Sequence, residues 1–265
     1  ATVNFLNTSS TTLSSLYVSS NTILSTGTLV NQIRVAKGLN FVNDCDMTAY
    51  ANAFNFVSGS SNTIIHKAGD GNFIFNVGST TPYNLGELSV NDGQFSFASA
   101  VSGSSATINI STIIVNGGIL ALKQGTYLTS SQSEIEVKTG GIGIYDETSI
   151  DPAILLNFNG TDPNNLARLI VEKSGANLVS NIAISTGLIV QNEGALTLTG
   201  TSIVGSSGIF GKDGNGTMTI ADTDDFNVGE LRLLSGVMNI NNSTITLNTA
   251  SITGGTLNVR NDSVF

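Results

Sequence analysis

Short runs in which apolar and polar residues alternate recur along this chain, and a glycine opens each of the clearest runs. Three of them are Gly194-Ala-Leu-Thr-Leu, Gly236-Val-Met-Asn-Ile and Gly255-Thr-Leu-Asn-Val. Because successive side chains of a β-strand point to opposite faces, this alternation is typical of strands that bury one face. The pattern therefore predicts many short strands separated by tight turns.

The opening glycines recur at a nearly constant spacing. From Gly71 to Gly255 the steps between them are 22, 25, 23, 34, 19, 22, 20 and 19 residues. A repeat of this length with two or three short strands is typical of a parallel β-helix, in which each coil stacks on the preceding one. We predict an all-β fold, a right-handed parallel β-helix (β-solenoid) of about eleven coils of roughly 19–25 residues.

Two other repeat architectures fit the pattern less well. A leucine-rich repeat requires a fixed Leu-x-x-Leu-x-Leu phrase, which the chain lacks. An immunoglobulin-like array would repeat with a much longer period than the one observed. Both alternatives are therefore set aside.

The whole chain, 1–265, is predicted to form a single solenoid domain with irregular segments at about 43–62 and 151–165. The first of these segments could instead be one wide coil, and the second falls within the 34-residue step. Solenoids place binding loops where the repeat is interrupted. The candidates for partner binding in the two segments are Asp44, Asp46, Tyr50, Asp151, Asp162 and Asn164.

Charged residues are scarce, and acidic residues outnumber basic ones. Only 11% of the residues are charged, and the formal net charge is −9 with ten Lys plus Arg. Nucleic acids and anionic lipids require a cationic surface, so the composition argues against both as partners. No stretch approaches the ~20 apolar residues of a membrane-spanning helix, so we expect no membrane insertion.

Cys45 and His66 are the single cysteine and the single histidine of the chain. One cysteine cannot form an intramolecular disulfide, and this pair cannot supply the usual His/Cys metal site. We therefore expect no cofactor.

The densest acidic cluster is formed by Asp222, Asp224 and Asp225. Right-handed β-helices also carry polysaccharide lyases and tailspike-like glycosidases, whose sites are carboxylates on one face. The cluster is thus the candidate for a cation or glycosidase site, although a solvated turn is the simpler explanation. The other carboxylates are scattered, so we predict no enzyme and keep a carbohydrate-active β-helix as the alternative function.

Both ends of the chain have strand-like patterns and lack the polar or helical cap that an isolated solenoid needs. We predict that the ends associate head to tail between subunits or continue a longer solenoid. The residues expected to take part are Val3, Phe5, Leu257, Val259, Val264 and Phe265.

The repeat phrases Gly194-Ala-Leu-Thr-Leu-Thr-Gly, Ser235-Gly-Val-Met-Asn-Ile and Thr253-Gly-Gly-Thr-Leu-Asn-Val resemble the strands of one known group of proteins. This group comprises the passenger regions of bacterial autotransporters and the related filamentous-haemagglutinin-type exoproteins. The resemblance implies export to the bacterial cell surface and a role as stalk, filament or adhesin, with a host receptor or a glycan as the partner of an adhesin. We accordingly expect an extracellular, structural and non-catalytic protein.

Overall fold

The computed structural model describes residues 2–5, 13–18, 22–24, 32–51, 54–56, 62–78, 82–101, 104–132, 134–145, 148–172, 175–200, 202–223 and 225–260. The fold is all-β, and its parallel strands stack as a β-solenoid of about ten turns, which confirms the predicted fold class. The described residues form no α-helix. Accordingly, they include no helix with the length and hydropathy that a membrane crossing requires.

The strands belong to two compact units, Ala1–Gln132 with Glu147–Ser149 and Ser133–Asp146 with Ile150–Phe265. The strands up to residue 129 are β1 Thr2–Phe5, β2 Ser14–Val18, β3 Thr22–Leu24, β4 Gln32–Val35, β5 Gly38–Asn43, β6 Met47–Tyr50, β7 Phe54–Phe56, β8 Ile64–Ala68, β9 Asn72–Val77, β10 Tyr83–Val90, β11 Gln94–Ser99, β12 Ala106–Val115, β13 Ile119–Lys123 and β14 Thr126–Thr129. The later strands are β15 Glu134–Val137, β16 Gly141–Ile144, β17 Ser149–Ile150, β18 Leu155–Phe158, β19 Ala167–Val171, β20 Ala176–Leu178, β21 Ile182–Ile184, β22 Gly187–Asn192, β23 Leu196–Thr199, β24 Ile203–Asp213, β25 Thr217–Ala221, β26 Phe226–Leu233, β27 Val237–Asn241, β28 Ile245–Ile252 and β29 Thr256–Arg260.

In the first unit, each strand pairs in parallel with its counterpart one coil further along the chain. One ladder contains β2, β5, β8, β10 and β12 in that order, and a second ladder contains β3, β6, β9, β11 and β13. The pairing is in register, so side chains at equivalent positions stack into columns. The column Leu39, Ile65, Leu88 and Ile113 is buried along its whole length.

Phenylalanines fill the centre of the first unit. Phe73 stacks below Phe95 with ring centroids 4.9 Å apart, and Phe75 stacks below Phe97 at 6.0 Å. All four side chains are fully buried. Tilted and edge-to-face arrangements at these distances are favourable beyond the burial of apolar area, so the aromatic columns bind consecutive coils to each other.

In the second unit, aliphatic residues and methionines form the columns. Leu196, Met218, Met238 and Leu257 are in register on β23, β25, β27 and β29. The first three are buried. Met and Leu have similar volumes, so they can replace one another in such a column. The outward-facing positions beside them carry Thr and Asn, so alternation along each strand separates core from surface.

The segment 43–62 contains two strands that take part in the regular ladders. β6 pairs with β3 and β9, and β7 pairs with β4. The described part of the segment therefore includes strands that belong to the regular coils of the solenoid.

The 34-residue step has a geometric explanation. Gly141 opens β16, whose partner in the next coil is β19, and Gly141 is in register with Arg168. Gly175 instead precedes β20, which starts a different sheet. The step is long because the two glycines lie on different faces of the solenoid, and the loop 159–166 after β18 lengthens this coil.

Replacing Phe75 by Ala should lower the free energy of unfolding by about 3–5 kcal/mol, because it opens a cavity between three coils. Guanidinium unfolding followed by circular dichroism measures the change. Tyr17, whose side chain is 75% exposed, provides the control, and its replacement by Ala should change the free energy by less than about 0.5 kcal/mol. Equal losses in the two variants would contradict the aromatic core described here.

Candidate functional site: two buried lysine corners

Two lysines occupy inward positions of the solenoid. Lys67 follows buried Ile65 on β8, Lys212 follows buried Phe210 on β24, and each lysine has a relative exposure of 0%. Their column neighbours in the adjacent coils are apolar, namely Phe41 and Val90 for Lys67 and Val190 and Leu233 for Lys212. A lysine therefore replaces a core residue once in each unit.

The ammonium group of Lys67 is surrounded by backbone carbonyl oxygens. Its Nζ donates hydrogen bonds to Ala68 O at 2.9 Å, Gly69 O at 2.5 Å and Asp92 O at 3.2 Å. The first two oxygens belong to the corner that follows β8, and the third belongs to the corner of the next coil. All three protons of the ammonium group can therefore be used, as burial of a charge requires.

Lys212 makes the equivalent set of contacts in the second unit. Its Nζ donates to Asp213 O at 2.7 Å, Gly214 O at 2.6 Å and Ser235 O at 3.4 Å. Again two oxygens come from the lysine's own corner and one from the next coil. The two arrangements are thus copies of one local structure.

Glycines allow the corners to pack this closely. Gly93 and Gly236 both have positive φ, at 59° and 73°, and each lies in the corner above the lysine. A Cβ atom on Gly93 would lie 2.5 Å from Gly69 O and Gly71 O, and one on Gly236 would lie 2.8 Å from Lys212 Nζ. Any side chain here would push successive corners apart.

An asparagine lies at the corresponding corner one coil below each lysine. Asn43 Nδ2 donates to Cys45 O, and Asn192 Nδ2 donates to Gly194 O, both at 2.7 Å. Both asparagines are fully buried, and their Oδ1 atoms accept no hydrogen bond from any described residue. We name the two sets the Lys67 corner (Asn43, Lys67, Gly69, Gly71, Asp92 and Gly93) and the Lys212 corner (Asn192, Lys212, Gly214, Gly216, Ser235 and Gly236).

Burial lowers the pKa of Lys67 from 10.5 to about 8, and the nearby carboxylates of Asp92, Asp44 and Asp70 oppose this shift. The side chain is therefore still mostly protonated at neutral pH. Burial likewise lowers the pKa of Lys212, against the charges of Asp213 and Glu193. The backbone N–H of Gly214 and the hydroxyl of Ser235 lower the pKa of the Asp213 carboxyl group.

Of the candidates from segment 43–62, Asp44 lies at the Lys67 corner. Asp44 and Asp46 are exposed and flank Cys45, while Tyr50 is half-buried at the end of β6. The Asp44 carboxylate lies beside Gly69, where a Cβ would be 2.7 Å from its Oδ1. Asp44 thus belongs to the surroundings of the buried ammonium group.

The candidates from segment 151–165 form local turns. Asp151 Oδ1 accepts a hydrogen bond from Ala153 N at 3.0 Å, and Asp162 Oδ1 accepts one from Asn164 N at 2.9 Å. Asp162 and Asn164 are exposed, whereas Asp151 is half-buried. Side-chain-to-backbone bonds of this kind shape Asx turns.

The acidic cluster is spread over a corner. Asp222 is exposed with φ 53°, and its Oδ1 accepts a hydrogen bond from Asn242 Nδ2 at 3.2 Å. Asp225 is also exposed, and Asp224 lies outside the described residues. Within the described ranges, no group of three His, Cys, Asp or Glu side chains is arranged to hold a metal ion.

The residues predicted for end-to-end contacts lie partly in described strands. Val3 and Phe5 are on β1, which pairs with β4, and Leu257 and Val259 are on β29, which pairs with β27. Val264 and Phe265 lie outside the described residues.

The buried lysines are not among the residues predicted from the sequence, although the chain contains a signal for them. The phrases Lys67-Ala-Gly-Asp-Gly and Lys212-Asp-Gly-Asn-Gly share the spacing Lys-x-Gly-x-Gly. In both, the lysine is two residues after a core residue, which is an inward position by strand parity. With only ten basic residues in the chain, this repetition points to a special role.

No protein-family model, no curated protein and no solved structure matches this chain. The structure shows the parallel β-solenoid repeat architecture that the resemblance to autotransporter passengers and haemagglutinin-type exoproteins implied.

The stability of the protein should increase between pH 8 and pH 10.5. The pKa of Lys67 is about 8 in the folded chain, whereas the ordinary value of 10.5 applies to the unfolded chain. Between these two pH values the unfolded chain therefore binds more protons than the folded chain. The free energy of unfolding then rises with pH, and Lys67 alone contributes up to about 3 kcal/mol to this rise. Well below pH 8 both states are protonated, and the dependence ends.

Guanidinium unfolding at a series of pH values measures this effect. The Lys67→Met variant lacks the titrating group and should show a smaller rise over the same interval, while Lys212 still contributes. Lys138, whose side chain is 50% exposed, provides the matched control through Lys138→Met. A Lys67→Met variant with the full wild-type pH dependence would show that Lys67 is not the group responsible.

Proposed function

We propose that this protein is an extracellular, non-catalytic, structural β-solenoid, a stalk or filament subunit of a bacterial cell surface whose coils stack head to tail. The observation that carries this proposal is the exposure of core positions in the last described coil. Leu233 and Ile240 are fully buried, whereas their register partners Ile252 and Val259 are 53% and 37% exposed.

The backbone of β28 and β29 also supports stacking of a further coil on this end. β28 pairs with β26, and β29 pairs with β27, and no described strand lies against the other edge of β28 or β29. Such an edge presents unpaired N–H and C=O groups that are a template for another parallel strand. A further coil would supply these hydrogen bonds and cover Ile252 and Val259 at once. We propose that this further coil comes from a second copy of the chain or from the continuation of a longer solenoid.

Ladders of polar side chains on the outer surface fit a shaft. Asn109 donates to Asn84 at 3.1 Å, and Asn258 donates to Asn239 at 2.9 Å, each between successive coils. Such stacked amides lend stability to parallel coils without relying on charge pairs.

Two carboxylates on one face of β15 belong to the same kind of ladder. Glu134 and Glu136 accept hydrogen bonds from Asn157 at 2.7 Å and from Asn159 at 2.6 Å, respectively. A glycosidase needs a general acid and a second carboxylate that face the substrate. Because both glutamates are bonded to the neighbouring coil, their arrangement favours the structural role over the carbohydrate-active alternative.

Self-association can be tested by electron microscopy and light scattering over a concentration series. We expect fibres one solenoid wide for the wild type, and single rods for the Ile252→Lys/Val259→Lys variant, because two charges would be buried at the junction. Val179→Lys, at a position 40% exposed within the same unit, is the control and should still form fibres. Wild-type rods that stay single at every concentration would contradict assembly.

The location can be tested separately. Antibodies raised against the chain should label intact, unpermeabilised cells of the organism that produces it, and mild external proteolysis should remove the label. Labelling that requires permeabilisation would contradict an extracellular role.

A further inference from the structure

We propose that each lysine corner is a cation-binding site which the chain fills with its own ammonium group, and which takes up a small primary ammonium ion when the lysine side chain is removed. The site is a cage of backbone carbonyl oxygens contributed by two successive coils. The proposal concerns how the coils are held together, and it does not depend on the cellular role of the protein.

The donor set identifies the kind of cation. All three partners of each Nζ are backbone carbonyl oxygens, which carry no net charge. The hydrogen-bond partners therefore include no carboxylate whose negative charge would call for a divalent ion. The distances run from 2.5 Å to 3.4 Å, while Ca²⁺ and Mg²⁺ take oxygen ligands at about 2.3–2.6 Å and 2.0–2.1 Å. The cage therefore fits an ammonium group with three N–H donors better than a divalent metal ion.

The column neighbours show that an ordinary coil does not need the lysine. Phe41 and Val90 occupy the equivalent position below and above Lys67, and both are apolar and buried. The lysine is therefore specific to a corner in which carbonyl oxygens of two coils converge. The close approach at Gly93, 2.5 Å from Gly69 O and Gly71 O for an added Cβ, shows how tightly these oxygens are packed.

The recurrence of the whole set argues that the cage is a built site. Each corner combines a buried Asn one coil below, an acidic residue directly after that Asn, the Lys-x-Gly-x-Gly phrase and a glycine with positive φ one coil above. The acidic residues are Asp44 and Glu193, and both contribute to keeping their lysine protonated. Because the ammonium group is tethered to the chain, it cannot dissociate from the cage.

Chemical rescue tests the proposal. In Lys67→Ala the missing atoms correspond to n-propylammonium, which has the same three-carbon chain and the same ammonium group. We expect Lys67→Ala to unfold at a lower guanidinium concentration than the wild type, and refolding in n-propylammonium chloride to recover most of this loss in a saturable manner. Sodium chloride at equal ionic strength should not do so.

Two variants separate rescue of the cage from filling of a cavity. Val90→Ala removes apolar volume from the next position of the same column without removing an ammonium group, and n-propylammonium should not stabilise it. Lys67→Met keeps the stem of the side chain but leaves no room for the amine, so it too should not respond. n-Propanol, which has the chain without the charge, should leave Lys67→Ala unchanged.

The Lys212→Ala variant repeats the experiment in the second unit. It replaces Lys67→Ala as the test if Lys67→Ala does not fold. The proposal is overturned if n-propylammonium stabilises Lys67→Ala no more than it stabilises Val90→Ala, or if neither lysine variant gains stability from it. Isotope-labelled n-propylammonium gives a second readout, since its ammonium protons should show contacts to the glycine residues of the corner by NMR.

Discussion

The convergence of backbone carbonyl oxygens at the corners is the constraint on which this structure depends. Parallel coils stack at the spacing of adjacent β-strands, about 4.8 Å, so the corner of each coil lies directly against the corner of the next. Inside the strands, the ladder hydrogen bonds satisfy the backbone, and some corner groups also pair between coils, such as Gly71 N with Asn43 O at 2.8 Å. The carbonyl oxygens that converge at a corner still need donors. In two places the chain solves this with a buried ammonium group that donates to the corners of two coils at once.

The corner contacts and the core columns support each other. A positive-φ glycine above each lysine permits close stacking, and close stacking brings the inward side chains into contact along the columns. Phe73 and Phe95, with centroids 4.9 Å apart, pack only if the register of the two coils is exact to within a fraction of a residue. A shift of one residue would turn every core side chain to the surface, and the carbonyl cage, which requires specific oxygens of two coils, opposes such a shift.

Much of the fold could be predicted from sequence because it is encoded locally. Alternation in Leu196-Thr-Leu-Thr and Thr217-Met-Thr-Ile defines β23 and β25, and the repeat spacing predicts that they stack. The buried lysines could not be predicted in the same way, because Asp92 O, which Lys67 contacts, is 25 residues further along the chain. Strand parity places Lys67 inward, but lysine is usually a surface residue, and only the three-dimensional corner explains the exception. The length of the 34-residue step is explained only by the structure, since Gly141 and Gly175 are alike in sequence but lie on different sheets.

Direct observation of the Lys67 side chain by NMR would test the central claim, that a protonated ammonium group is enclosed at the corner. We predict a slowly exchanging ammonium signal at neutral pH, an apparent pKa near 8, and loss of this signal in the Lys67→Met variant. A side chain that titrates at the ordinary value of 10.5 and exchanges its protons as fast as exposed Lys138 would contradict it.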